Sequence, residues 1–148
     1  MNGYLMQEKQ WVPGEDLFLE SFALENPYGV VFEDDGEAAY LYAVEKEGGE
    51  AEGPAIKILD ALHVWEAEDA GEVPEGAAPP RPLLIIWSRD WMKCALVIDG
   101  FCHALFDFEA HGGYNINEFP PPNAIWTKGD RKLTDELVRS IFGSSRHQ

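Results

Sequence analysis

Short apolar runs separated by polar, glycine-containing or proline-containing breaks dominate the hydrophobic pattern, which is typical of β-strands joined by turns. The strongest example covers residues 83–108, where two apolar runs are separated by only Asp99 and Gly100. Asp-Gly between such runs predicts a hairpin, because both central positions of the turn require positive φ. A third run at residues 83–88 precedes the hairpin, so this segment predicts a three-stranded antiparallel meander.

A two-residue turn also sets the register of this hairpin, pairing Ile98 with Phe101 and Cys94 with Leu105. Side-chain alternation then places the two cysteines on opposite faces. Cys94 shares one face with Leu96, Ile98, Phe101, His103 and Leu105, and Cys102 shares the other with Ala95, Val97, Ala104 and Phe106. No disulfide can join the cysteines in this register. As small buried hydrophobes they indicate a reducing compartment, which predicts a cytoplasmic protein.

Both faces of the hairpin are apolar, so both are predicted to be covered. One cover is a C-terminal helix over residues 135–142, with Thr134 as its N-cap and Gly143 at its end. The other could come from N-terminal strands that curl over as a sandwich or half barrel, or from a second subunit. Further strands are predicted at residues 17–23, 30–33, 38–45 and 56–65.

These elements predict an α+β fold: a mainly antiparallel sheet of about six or seven strands, built from hairpins and a meander, with one C-terminal helix. Residues 1–148 are expected to form a single domain, with flexible acidic loops at about 46–55 and 66–82. Residues 109–132 form a long non-periodic loop. Its aromatic side chains either fold back over the sheet edge or form a binding surface: Tyr114, Phe119 and Trp126.

Charge is distributed unevenly along the chain. Residues 1–80 carry 19 acidic and three basic side chains, whereas residues 81–148 carry eight of each, so the whole net charge of −16 belongs to the first part. The electrostatic field of this negative charge disfavours binding to nucleic acid and to anionic membranes and favours association with a basic partner. No apolar run approaches the roughly 18 residues that a membrane-spanning helix needs.

Four of these acidic residues, Glu33, Asp34, Asp35 and Glu37, crowd a predicted turn. They are expected to be solvated, and they lack the spacing and the distal glutamate of a calcium loop. Trp91 occupies another predicted turn, where glycine or asparagine would be usual. It is therefore expected to be exposed and to anchor a partner or a homodimer contact.

The sequence contains no glycine-rich phosphate loop, Cys-x-x-Cys pair, His-Glu-x-x-His helix or nucleophile elbow, so no cofactor or metal is predicted. The best catalytic constellation is weak. His111 could bend back toward Asp107 or Glu109 to make an acid–base pair or a partial metal site. His103 and Asp107 share a strand but lie about 13 Å apart, too far for one metal ion, and a core position for His103 is favoured.

Three segments of the chain carry a family resemblance: VVFEDDGEAAYLYAV, ILDALHVW and LLIIWSRDWMKCALVIDGFCHALFDF. In this order they resemble the bacterial proteins grouped as domain-of-unknown-function family 2251, over roughly residues 27–119. The shared motifs are strands and turns rather than catalytic groups, so the resemblance implies no activity. Trp91 departs from the small turn residue usual in that family.

Two functions follow as hypotheses. The first is a non-enzymatic binding protein whose acidic part meets a basic partner, as an immunity protein meets a basic toxin, with Glu33, Asp34, Asp35, Glu37, Trp91, Tyr114 and Trp126 as binding residues. The alternative is a small hydrolase or metal-dependent enzyme that uses His111 with Asp107 or Glu109. A homodimer with an interface around Trp91 or Trp126 is a third expectation.

Overall fold

A computed structural model describes residues 3–47, 55–67, 79–122 and 125–143, which contain nine strands and one helix. In chain order they are β1 Tyr4–Trp11, β2 Leu17–Phe22, β3 Tyr28–Asp34, β4 Ala38–Glu47, β5 Ala55–Glu66, β6 Arg81–Trp87, β7 Lys93–Ile98, β8 Phe101–Asp107, β9 Gly112–Asn115 and α1 Asp135–Phe142.

The strands form two antiparallel sheets that share one core. One sheet has five strands in the order β1-β6-β7-β8-β9, and the other has four in the order β2-β3-β4-β5. Alternate side chains from both sheets fill the space between them, as expected for sheets packed face to face. Large fully buried members include Trp11, Phe32, Leu41, Leu83, Trp87 and Phe106. The α+β prediction is confirmed, with more strands than the six or seven expected.

Two of the nine strands, β1 and β9, were not predicted. β1 has the sequence YLMQEKQW, in which polar residues hide the strand pattern, and it lies at the edge of the five-stranded sheet. β9 is only four residues long and begins with two glycines. Both strands are specified by pairing with a neighbour rather than by their own periodicity.

The central hairpin turns at Asp99 and Gly100, both with positive φ, and Ile98 pairs with Phe101 as predicted. Beyond the next pair, however, a β-bulge leaves His103 without a partner, so Cys94 pairs with Phe106 instead of Leu105. The predicted faces are therefore wrong past the bulge. Ala104 and Phe106 join Cys94 in the core between the sheets, and Leu105 faces the opposite way.

The hairpin is covered on both faces, as its apolar pattern predicts. The four-stranded sheet covers the face with Cys94, and α1 covers the face with Ala95, Val97 and Leu105. Phe142 is the buried contact of α1 with that face. The cysteines lie on opposite faces and are free.

The ends of α1 also match the sequence. The Oγ1 atom of Thr134 accepts a hydrogen bond from Leu137 N at 3.1 Å, and Gly143 N donates to the carbonyl oxygen of Arg139. Asp135 and Glu136 lie in the first turn, where negative charge suits the helix dipole.

Trp91 is buried, which corrects the prediction of an exposed anchor. Its backbone adopts φ 62°, yet its side chain is only 6% exposed. The ring stacks on Tyr4 with centroids 4.7 Å apart and lies 6.1 Å from Trp87. The sequence indicated the unusual backbone of this turn but not that β1 supplies a ring to cover the indole.

The strands that flank the predicted acidic loops, at about 46–55 and 66–82, are longer than expected. β4 extends to Glu47, β5 runs from Ala55 to Glu66 and β6 begins at Arg81, while residues 48–54 and 68–78 lie outside the described residues. Within the part of the chain that the structure describes, no helix has the length and apolarity needed to cross a membrane.

Candidate functional site

The outward side of the four-stranded sheet carries rings and carboxylates together. Val30, Phe32 and Leu41 point into the core, so alternation turns their neighbours outward. Cα pairing then builds one row of Phe18, Glu33, Tyr40 and His63 across β2 to β5, and a second row of Glu20, Val31, Tyr42 and Ala61. The aromatic–acidic face is defined here as Phe18, Glu20, Glu33, Tyr40 and Tyr42.

Four rings, from Tyr42 through Tyr40 and His63 to Phe119, form a continuous line that begins on this face and is called the ring line. Tyr42 lies 6.0 Å from Tyr40, Tyr40 lies 5.2 Å from His63, and His63 lies 5.8 Å from Phe119, all measured between ring centroids. Phe18 is 58% exposed at the other end of its row. Tyr40 and Tyr42 are half-buried, so their rings are partly open to solvent and can offer a flat surface for stacking or for cation–π contact.

The outward side of the same sheet, next to this face, already holds one cation of its own chain in this way. Lys46 Nζ lies 4.4 Å from the centroid of the Phe22 ring. Phe22 belongs to the next row of the same outward surface, since it follows Phe18 and Glu20 at intervals of two in β2.

Carboxylates give the face a negative potential. Glu20 and Glu33 are exposed on it. Partial burial raises the pKa of the Tyr42 hydroxyl, and the nearby charges of Glu33 and Asp35 raise it further. The pKa of Asp35 itself is lowered by hydrogen bonds from the backbone N–H groups of Glu37 and Ala38, which favour its charged form.

Asp34 is not part of the solvated turn, which corrects its predicted role. Its side chain is 1% exposed. Oδ2 accepts hydrogen bonds from Trp11 Nε1 at 2.9 Å and from Gly14 N at 2.8 Å, and Oδ1 accepts one from Gly36 N. Of the four predicted carboxylates, Glu33, Asp35 and Glu37 are exposed, and Asp34 instead fixes the turn to β1.

The predicted acid–base residues are engaged separately. Asp107 Oδ1 accepts backbone hydrogen bonds from Glu109 and Ala110, and Glu109 Oε1 lies 2.9 Å from Lys93 Nζ. His111 adopts φ 57° and stacks on Trp126 with centroids 5.1 Å apart. Among the described residues no hydrogen bond or ion pair joins His111 to either carboxylate, and no cluster of three or more metal-ligating side chains is found.

The aromatic side chains of the long loop fold back onto the sheet. Trp126 is 7% exposed and contacts Phe106 and Phe108 edge to face. Tyr114 lies in β9 and packs against the cluster under α1, and the pKa of its hydroxyl is raised, chiefly by burial. Phe119 remains 47% exposed, at the end of the ring line. Of the two alternatives for this loop, folding back therefore describes Trp126 and Tyr114.

His103 lies on the helix-covered side of the hairpin rather than in the core. It is half-buried, and its Nδ1 lies 2.9 Å from the carbonyl oxygen of Phe101.

A buried network that the sequence did not indicate fixes the loop of residues 109–132. Arg131 Nη2 and Nη1 lie 2.7 and 2.8 Å from the two oxygens of Asp60, and Thr127 Oγ1 donates to Asp60 Oδ2 at 2.6 Å. Arg131 Nε also donates to the carbonyl oxygen of Pro120. The sequence contained one signal of this network, a lone aspartate inside the largely apolar run 58–65. A buried carboxylate requires a partner, so its position indicates a buried ion pair.

His63 is the other residue that sequence reasoning missed. It is 6% exposed, and its Nδ1 lies 2.7 Å from Asn117 Nδ2. Its Nε2 atom lies 3.4 Å from Glu66 Oε1 and makes no hydrogen bond within the described residues. His63 therefore joins the ring line to the loop that carries Asn117.

Comparison with known proteins gives a family and no activity. A protein from Haemophilus influenzae, described as an uncharacterized protein, is 36% identical over 118 residues, which cover 78% of this chain and 66% of that relative. The chain thus spans just under two thirds of the length of that relative. No solved structure matches the chain.

The sequence model of one family, described as "Uncharacterized protein conserved in bacteria (DUF2251)", matches residues 11–142. The match is longer than the resemblance at residues 27–119, and it includes β2 and α1 in full. The chain therefore belongs to the DUF2251 family of bacterial proteins.

Proposed function

We propose that the protein is a non-enzymatic binding module of the cytoplasm whose aromatic–acidic face meets a basic protein partner. One observation supports this most directly: Glu33 lies between Phe18 and Tyr40 in a single cross-strand row on an outward sheet surface. A carboxylate flanked by rings suits a guanidinium group, which can pair with the acid while its plane stacks on a ring.

The whole-chain charge favours the same class of partner. A net charge of −16 attracts basic proteins over distances comparable to the Debye length and raises their association rate. The ring line supplies the contact area that charge alone lacks, because hot spots of protein interfaces are rich in tyrosine and arginine.

Known cases of this chemistry include immunity proteins that neutralise basic toxins, and we place this protein in that class as a proposal. The free cysteines are consistent with a reducing compartment. The homodimer and the His111 enzyme stay predictions, since no contact described above favours either of them.

The test is a capture experiment with three baits carried through lysate of the source cells in parallel. The first bait is the unaltered protein. The second is Glu20→Lys/Glu33→Lys, which reverses two charges on the face. The third is Glu8→Lys/Glu25→Lys, which reverses two exposed charges away from the face and therefore has the same net charge as the second.

We expect a basic protein to be retained by the first and third baits, to be lost from the second and to be released by high salt. The affinity of the purified pair should fall about tenfold or more for the face variant and about threefold or less for the control. Equal losses for both variants would show that net charge alone matters. Unchanged binding in both would refute the electrostatic basis of the proposal.

A further inference from the structure

A second surface, on the opposite side of the molecule, is concave and apolar. It lies between α1 and the outward side of the five-stranded sheet and has a volume of about 1030 Å³. Leu84, Ile86, Val97 and Cys102 form its floor, and its other wall is formed by Val138 of α1 and by Leu133, which precedes the helix. This concavity is called the helix groove below.

The helix groove exists because one short helix covers only part of a five-stranded sheet. α1 has eight residues, which correspond to about 12 Å of helix. Phe101 remains 71% exposed and Ile116 61% exposed at its border. Exposed apolar surface that is contiguous with a concave site is a mark of ligand binding.

The charged groups that line the helix groove balance one another: Arg81 and Arg139 are basic, and Asp99 and Asp135 are acidic. Arg139 lines it and forms no ion pair with any described residue, although the chain carries a net charge of −16. The β-bulge adds His103 to the lining. Two acids also line the groove. Asp99 is paired with Arg81 at 2.7 Å, and Asp135 lies at the positive end of the helix dipole.

The floor stays uncharged at physiological pH. Burial raises the pKa of the Cys102 thiol to about 12, so the sulfur presents a neutral surface beside Val97. An apolar cavity with few polar groups at its border selects a ligand with an apolar body and one polar end.

We propose that the helix groove binds an aliphatic carboxylate, with the alkyl chain on the Leu84–Val97–Val138 surface and the carboxylate at Arg139. The guanidinium supplies charge-assisted hydrogen bonds, and His103 provides a second polar group at the border. This site is independent of the aromatic–acidic face, which lies on the other sheet.

The probe is decanoate, titrated into the intact protein by calorimetry, with decanol as the neutral ligand of the same chain length. We expect saturable binding of one decanoate per chain and weaker binding of decanol. Arg139→Glu should weaken decanoate binding about tenfold or more, whereas Lys128→Glu, an equal charge change at an exposed site outside the groove, should change it about twofold or less.

Val138→Trp places a large side chain in the groove and should abolish decanoate binding, with circular dichroism confirming that the variant is folded. The proposal is wrong if decanoate does not bind at millimolar concentration. It is also wrong if decanol binds as tightly as decanoate, or if Arg139→Glu and Val138→Trp leave binding unchanged. Val138→Trp should not affect the protein capture described above, so the two proposals fail separately.

Discussion

Asp60 and Arg131 form the most buried ion pair of the described residues, with side chains 5% and 1% exposed. We predict that Asp60→Asn lowers the free energy of unfolding by about 3–5 kcal/mol, because Arg131 then keeps a buried charge without a counterion. Urea denaturation measures the loss. The matched control is Asp99→Asn, which removes the charge from the exposed pair with Arg81 and should cost less than about 1 kcal/mol. Equal costs for the two variants would contradict this prediction.

The two thiols provide a second prediction. Burial raises the pKa of Cys94 well above its usual value and that of Cys102 to about 12. At pH 8 we expect both thiols to react with an aromatic disulfide reagent far more slowly than a free cysteine, because only the thiolate is a nucleophile. The same protein in guanidinium chloride should release two equivalents of thiol product at once. Rapid labelling of either cysteine in the native protein would contradict the burial seen here.

At the scale of elements, the sequence predicts strands well where apolar runs are long and turns carry Asp-Gly or Asp-Asp-Gly. The helix is predicted to the residue because its cap, its apolar stripe and its terminal glycine agree. The bulge at His103 is not predictable from the run, since its apolar pattern fits both registers when both faces are buried. Strands β1 and β9 form because they pair with a neighbouring strand. Their own sequences therefore show no periodic hydrophobic pattern.

The turn between β6 and β7 is held by Asp90, which carries a pH-dependent contribution to stability. Burial opposes ionisation of this carboxyl, but hydrogen bonds from Ser88, the Met92 N–H and Lys93 outweigh it and lower the pKa of Asp90. A carboxyl with a lower pKa in the folded state stabilises the fold above its unfolded-state pKa. That contribution is lost as the pH falls through the folded-state pKa.

We therefore predict that Asp90→Asn lowers the free energy of unfolding at pH 7 by less than about 1 kcal/mol, since the carboxylate is half exposed. The difference between Asp90→Asn and the unaltered protein should shrink as the pH falls below 3.8, the usual pKa of this group. Urea denaturation from pH 7 to pH 2.5 measures it. A difference that stays constant or grows toward low pH would contradict the prediction.

For the whole molecule, the candidate site was predictable only in part. An acid-rich turn predicts solvent exposure, and this is found for Glu33, Asp35 and Glu37. The pairing of Asp60 with Arg131 links residues 71 positions apart, and the burial of Trp91 depends on β1, so neither could be read from local patterns. The ring line likewise needed the cross-strand register, because Tyr40 and His63 become neighbours only when β4 pairs with β5.

Concentrated negative charge should cost the protein stability at low salt. With a net charge of −16, repulsion acts over a Debye length of about 30 Å at 10 mM salt but of less than about 8 Å at 300 mM. We predict that sodium chloride raises the melting temperature by several degrees over this range. Glu20→Gln/Glu33→Gln should be more stable than the unaltered protein at low salt and should respond less to salt, because two of the repelling charges are gone.

The stability and the partner affinity of this variant can be compared to test the proposed function. If the carboxylates of the aromatic–acidic face bind a basic partner, Glu20→Gln/Glu33→Gln should gain stability and lose affinity for that partner. Substitutions at functional sites often have this pair of effects. The matched variant Glu8→Gln/Glu25→Gln removes the same charge elsewhere, so it should gain a similar stability and keep its affinity. A melting temperature that is independent of salt would contradict the predicted charge repulsion. Equal losses of affinity in both variants would show that this face has no special part in binding.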